Sequence, residues 1–284
     1  MMVNLPETKK LSDIKTEFVK GLLYGDSGTG KTIFGAGGPK PIIMLDTDKG
    51  TLSIQTSKII SNEDREKISV VEVNDFSAGF PSTNPQGYDI CIGVLEEILR
   101  TGGYKGTKPA LTIADSFTTT SQMCLSKALF LNGRLNQNPQ LQDYGTQRRH
   151  LEKIIKLGIG LRCHFLAICH EQFMKDEFTG RVWLTPLIVG KLAKEIPLYF
   201  DEVYHSKVGV GKDGKPRYEM ECSASGMITA KSRLGLVGVQ ELKWEVVQKV
   251  LDELGETKDK GGESAVAQGV IGKVDSKVKD LLNY

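Results

Sequence analysis

The chain has 284 residues, 39% of them hydrophobic and 25% charged, which is enough for one large α/β domain with a real core plus a small appendage. A formal net charge of only +2 excludes a polybasic coating protein, so any contact with nucleic acid has to come from a local basic surface. Five scattered cysteines without C-x-x-C spacing, no stretch of membrane-spanning length and a polar N-terminus without a signal core lead us to expect a cytoplasmic protein with buried, reduced thiols.

Residues 1–16 are a polar lead-in containing Pro6. Phe18 to Tyr24 reads as a buried strand, and it runs into Gly25-Asp26-Ser27-Gly28-Thr29-Gly30-Lys31-Thr32. That octet fits the pattern Gly, four free positions, Gly-Lys-Ser/Thr, and Ile33 onward can continue as a helix. Glycines 25, 28 and 30 let backbone N–H groups approach phosphate oxygens, and the following helix points its positive end at the same anion. Lys31 supplies a mobile charge for the β- and γ-phosphates, and the Thr32 hydroxyl is a natural Mg²⁺ ligand.

A second apolar strand spans 41–46 and ends in Asp46-Thr47-Asp48-Lys49-Gly50. A third covers 68–73, a Gly/Pro/Asn-rich loop covers 74–87, and the spacing of 90, 94, 95, 98 and 99 predicts a helix over 88–100. The strand at 110–116 carries Asp115 at its C-terminal end. A helix over 117–131, a polar loop over 132–145 and a helix over 146–158 follow. The next buried strand, 164–169, ends in His170-Glu171-Gln172.

Beyond it, 173–186 mixes charge with aromatics, and 187–200 reads as helical until Pro197. Antiparallel strands are expected at 202–210 and 216–222 around Lys212-Asp213-Gly214-Lys215, with a short strand near 227–230 before Lys231-Ser232-Arg233. A helix over 240–254, a Gly-rich linker over 255–264 and a short helix over 274–282 complete the chain. This divides it into a core, 1–255, and a linker with a tail, 256–284.

Strands alternating with helices predict an α/β fold with a doubly wound, mainly parallel sheet and a C-terminal antiparallel hairpin extension. Ligands of such sheets sit beyond the C-terminal strand ends, where the phosphate loop, Asp46/Asp48, Asp115 and His170/Glu171 all fall. Asp115 is the candidate carboxylate for the Mg²⁺ shell, with a helix N-cap as its structural alternative. Either Asp46 or Asp48 could orient water, and spacing alone does not choose between them.

With these motifs in their order, residues 18–233 resemble the RecA-like P-loop ATPases, specifically the phage-encoded recombination ATPases that promote single-strand annealing. The resemblance rests on Gly25–Thr32, Leu45-Asp46-Thr47-Asp48, Ile113-Ala114-Asp115-Ser116, the strand ending in His170-Glu171, and Ala230-Lys231-Ser232-Arg233. It implies ATP and Mg²⁺ as cofactors, and Asp48 as the water-activating acid, although the family more often carries Glu there. It implies that the tip at His170-Glu171 senses the γ-phosphate, where relatives have Asn-Gln, and that Lys231 and Arg233 reach a neighbour's nucleotide in a homo-oligomer. It also implies single-stranded DNA binding by loops near 132–149 and 172–195, through Phe173, Lys175, Phe178, Arg181, Trp183, Lys191 and Lys194, with Arg148 and Arg149 adding to it. A single-strand-binding protein is a further expected partner, and the host cytoplasm the expected location for a phage-encoded chain. The competing functions are a motor or loader ATPase of replication machinery, and a nucleotide-gated binding protein that does not hydrolyse.

Overall fold

The β-branched and apolar runs of the sequence become the strands of one ten-stranded sheet. The structure is a computed structural model that describes residues 18–77, 80, 81, 83–211 and 213–259, with isolated positions 7, 8 and 10. The parallel strands are β1 (Lys20–Gly25), β2 (Ile42–Asp46), β3 (Ile68–Glu72), β6 (Leu111–Asp115), β7 (His164–Lys175) and β9 (Glu202–Val210). They lie in the order β9-β1-β7-β6-β2-β3, so β7 is inserted between the strand of the phosphate loop and the strand of Asp115. A minor two-stranded pair, β4 (Phe76–Ser77) and β5 (Phe80–Pro81), lies within the expected 74–87 loop.

Every residue of β1, β2 and β6 is buried, as strands covered by helices on both faces require. Each large apolar side chain so buried stabilises by about 1.5–3 kcal/mol relative to exposure. One face holds the main core, with Leu22, Tyr24, Ile43, Leu45, Phe165, Ala167 and Cys169 under α4 (Gly87–Thr101), α5 (Phe117–Leu131) and α6 (Leu141–Gly160). The other face receives α1 (Lys31–Ala36), whose Gly35 comes so close that a Cβ there would lie 3.0 Å from Ile113 and 3.3 Å from Leu166.

The sheet departs from expectation at several places. The loop expected over 132–145 gives way to α6 at Leu141, because Gln140 and Asp143 form a reciprocal capping box. β7 does not stop at 169: it runs on to Lys175 and folds back antiparallel as β8 (Val182–Pro186). The segment expected to be a loop over 172–195 is therefore a hairpin followed by α7 (Leu192–Glu195) and a 3₁₀ turn, Ile196–Tyr199.

On the far side of β1 the sheet turns antiparallel, with β10 (Pro216–Glu221), the two-residue β11 (Lys231–Ser232) and β12 (Val239–Glu241). In place of a strand at 227–230 there is a single bridge between Ile228 and Leu184. Two short helices escaped prediction, α2 (Thr51–Thr56) and α3 (Asn62–Glu66); each spans fewer than two turns, too few to show a period. The chain divides by contacts into Met1–Trp244 and Glu245–Tyr284. Helix α8 (Trp244–Asp259), all of it but Trp244 in the second unit, starts and ends later than the predicted 240–254 and runs through the expected start of the linker. The predicted helix at 274–282 lies outside the described residues, as do most of residues 1–16 and Lys212. All five cysteines are buried and free, as expected.

Candidate functional site: a phosphate loop above two carboxylates

Residues 25–32 form the tight turn between β1 and α1 that their pattern predicts. Gly28 and Gly30 have φ of +76° and +87°, a conformation that a side chain would strain. Gly25 is required for a different reason. A Cβ on it would lie 2.3 Å from Ser206 Oγ and 2.4 Å from the Ser206 carbonyl oxygen on the adjacent β9. Ser206 Oγ also lies 2.7 Å from Thr29 Oγ1, tying the loop to β9. The Asp26 side chain accepts the Ser27 N–H, and its carbonyl accepts the Thr29 hydroxyl.

Lys31 is buried, and its Nζ donates to the carbonyls of Gly25 and Asp26 at 3.0 and 2.7 Å. Burial lowers its pKa, while Asp115 and other acids nearby pull the other way. The Thr32 hydroxyl donates to Asp115 Oδ2 at 2.6 Å. Burial pushes the Asp115 carboxyl up to about 6; the Thr32 hydrogen bond opposes this, and the charges of Asp48 and Asp46 add to it.

The register explains how the acids meet. Asp46 pairs with Asp115 across β2 and β6, and both project toward the α1 face, as do Ile113, Leu166 and Ile168. Asp46 is consumed by its own turn, where Oδ1 accepts the N–H groups of Asp48 and Gly50. Asp48 stands beyond the strand and is held by other groups. Burial would raise its pKa, but hydrogen bonds from His170, Ser116, Thr119 and Thr47 outweigh burial and hold the carboxyl well below the usual range. His170 Nε2 lies 3.6 Å from Asp48 Oδ2. Thr47 supports this corner by donating to the Ser116 carbonyl and accepting the Ser116 N–H.

His170 and Glu171 are neighbours in a strand and so face opposite sides. His170 meets Asp48, whereas Glu171 accepts from His205 Nε2 at 2.7 Å, on the side where His205 packs against Tyr24. His205 is almost fully buried and its Nδ1 has no hydrogen-bond partner among the described residues. Ser206, Thr47 and His205 were not singled out from the sequence; their roles come from strand pairing, which no local motif encodes.

Lys231 and Arg233 are not brought to this loop. β11 pairs with the start of β9, at the opposite end of the parallel strands, where Arg233 forms an ion pair with Asp201. Of the cations expected to bind DNA, Arg148 is already engaged, by Glu152 and Glu195; within the same expected 132–149 segment Arg134 is held by buried Asp143.

Residues 17–234 match the family model described as AAA domain. The chain belongs to that family. Together with the sheet order, the membership establishes a RecA-like, AAA-type P-loop ATPase domain, for which bound nucleotide and usually Mg²⁺ are implied. The chain is also similar to the flagellar accessory protein FlaH from Methanocaldococcus jannaschii, at 10% identity and a TM-score of 0.38, covering 79% of this chain and 90% of that one. A likeness at that level carries no functional argument. No curated protein sequence matches the chain.

The residues fit the implied group. Space is open where Gly28 would carry a Cβ, and Lys31 has no ion-pair partner among the described residues. The Thr32–Asp115 pair suits a metal that keeps several waters and takes only one or two protein ligands. Among the described residues, no helix is long and apolar enough to cross a membrane.

Proposed function

We propose that this chain is an ATP- and Mg²⁺-dependent ATPase that binds single-stranded DNA and assists homologous recombination or single-strand annealing, with the nucleotide shared between neighbouring copies. The observation that supports DNA binding is the β7–β8 hairpin. It grows directly out of the strand end that carries His170 and Glu171, and it exposes Phe173 and Phe178, the latter completely. Lys175 and Arg181 flank these rings, and Lys194 Nζ sits 5.0 Å from the centre of the Trp183 ring. Cations beside stacking aromatics are the chemistry of sequence-tolerant strand binding.

In the catalytic cycle Lys31 exchanges its two carbonyl partners for phosphate oxygens, which costs little because no carboxylate is abandoned. Thr32 and Asp115 would hold Mg²⁺, which when bound neutralises charge on the phosphate oxygens. Asp48 orients the attacking water. Its depressed pKa makes it a weak proton acceptor while His170 and the hydroxyls hold it, since a general base works best near the operating pH. That restraint also favours a second reading, a nucleotide-gated binder with slow hydrolysis, in which loss of the His170 contact would switch Asp48 on.

Arg233 reaches a neighbour's nucleotide only by leaving Asp201. That pair is exposed, and exposed pairs are worth about 0–1 kcal/mol, so the cost is small. Cations at the sheet end away from the loop suit head-to-tail assembly, in which one copy's edge meets the next copy's site.

The decisive experiment is ATP hydrolysis with and without single-stranded DNA, on the intact chain and on Phe178→Ala. Stimulation that falls with the substitution is expected; hydrolysis indifferent to DNA would sink the recombination reading while leaving the ATPase domain intact. Arg233→Ala mixed with Lys31→Ala should recover activity by complementation, and a strictly additive loss would argue against the shared site.

A further inference from the structure

We infer that the edge of the sheet opposite the phosphate loop carries a separate groove that takes single-stranded nucleic acid along its phosphate backbone. The groove has a volume of about 1120 Å³ and is built from the C-terminus of α4, the loop leading to β6, and the turn between α6 and β7. Arg100, Lys105, Lys108 and Arg162 line it, with Glu97 the one carboxylate among the lining residues. All four cations are exposed, and none has an ion-pair partner among the described residues.

On helices α5 and α6 and between them, Lys127, Arg134, Arg148 and Lys153 are each held by an acid; what sets the four groove cations apart is that they line one groove together. Unneutralised like charges brought together cost free energy unless an anion joins them. Behind the wall, buried Lys20 donates to the carbonyls of Leu161 and Cys163, both at 2.7 Å, and so fixes the turn that presents Arg162.

The shape favours a polymer over a small ligand. The volume exceeds the roughly 300–1,000 Å³ of ordinary small-molecule sites. Gly102, Gly103, Gly106 and Gly160 leave stretches of wall without side chains. Phe18 lines the groove, so one aromatic side chain accompanies the cations there. The six residues of β1 separate this edge from the phosphate loop by roughly 20 Å at about 3.3 Å per residue. Occupancy of the groove therefore does not block the nucleotide site. It is also distinct from the β7–β8 hairpin, so it stands whether or not the hairpin binds DNA.

The test is the triple variant Lys105→Glu/Lys108→Glu/Arg162→Glu in the full chain, read by fluorescence anisotropy of a labelled oligothymidylate across a range of salt. The expected result is a loss of affinity of about tenfold or more, with the log–log salt slope flatter by about 2, since each phosphate contact on a single strand contributes about 0.7. ATP hydrolysis without DNA should stay unchanged, and the corresponding glutamine triple should show an intermediate loss. Failure of the unaltered chain to bind, or equal affinity and slope in a folded variant, overturns the proposal. So does weakened self-association with unchanged oligonucleotide binding, which would make the groove a contact between copies. Competition by polyglutamate as strong as by oligothymidylate would assign it to an acidic protein instead. Should the triple variant not fold, the three single reversals are read by the same criteria.

Discussion

Asp115→Asn should make the nucleotide-free protein more stable at pH 8, although it removes the carboxylate proposed to hold Mg²⁺. The carboxyl stands at about 6 in the folded chain, against an ordinary value of 3.8, chiefly because it is buried. The folded state therefore holds this proton more tightly than the unfolded state does. Stability is highest while the group is protonated in both states, and it falls as pH rises from about 4 to about 6. A shift of about two units at 1.36 kcal/mol each makes the loss about 3 kcal/mol, complete above pH 7. Asparagine keeps an oxygen for the Thr32 hydroxyl and brings no charge near Asp48 and Asp46, so the variant escapes the loss. Asp48 acts in the opposite sense: its depressed pKa contributes stability above its unfolded value that is lost as pH falls, and both proteins share it. Urea unfolding in EDTA from pH 4 to pH 8 measures the gap directly. It should be small at pH 4, open between pH 4 and 6, and level off at about 1–3 kcal/mol in favour of the variant once relaxation is allowed for. Mg²⁺-dependent hydrolysis should be lost in the same protein. A gap that does not change with pH, or a variant less stable at pH 8, would falsify the assignment of Asp115 as a strained, desolvated acid awaiting a cation.

Three further outcomes follow from the same geometry. Lys31→Ala should lower hydrolysis about 100-fold or more and weaken nucleotide binding in calorimetry, because this buried ammonium has no ion-pair partner among the described residues and is left for the phosphates; unchanged turnover would remove the central assignment. Gly25→Ala should destabilise by about 1–3 kcal/mol in thermal or urea unfolding, and Ser206→Ala should not restore it, since the carbonyl oxygen 2.4 Å from the new Cβ remains; a neutral Gly25→Ala contradicts the packing of β1 on β9. His170→Ala should raise the acid limb of the pH–rate profile by about one unit, as Asp48 loses the contact that depresses it; an unmoved limb would show that the hydroxyls alone set its acidity.

β1, β2, β3 and β6 were legible because each is a short apolar run with a polar residue at or just past its end, and helix α4 carries a clear apolar period ended by Gly102. What could not be read was pairing. β7 looked finished at residue 169 because charge enters at 170, yet it continues for six more residues since β8 supplies the partner, and an exposed hairpin needs no apolar alternation to persist. The start of α6 was hidden in a run rich in Asn and Gln, where the apolar period is absent and only the Gln140–Asp143 capping box marks the boundary.

The site divides along the same line. Its loop and hydroxyl are local in sequence and Asp115 sits at a strand end, so Gly25–Thr32 could be read as a motif and Asp115 as the candidate acid, with a helix N-cap as its alternative. The choice between Asp46 and Asp48 needed the turn: Asp46 spends an oxygen on two backbone N–H groups, and Asp48 is left toward the loop's side of the sheet. The choice between His170 and Glu171 needed the face: one residue meets Asp48, and the other meets His205 beyond β1. Charge was hardest of all to read. Arg148 looked available in the sequence but is claimed by Glu195, an acid 47 positions away. Arg100, Lys105, Lys108 and Arg162 belong to no motif, yet the fold gathers them on one edge with Glu97 as the one carboxylate among the lining residues. A cation's availability is set by which acids the topology brings to it: Arg148 is claimed by two acids, whereas the four cations at the sheet edge beneath β6 and β7 have no ion-pair partner among the described residues.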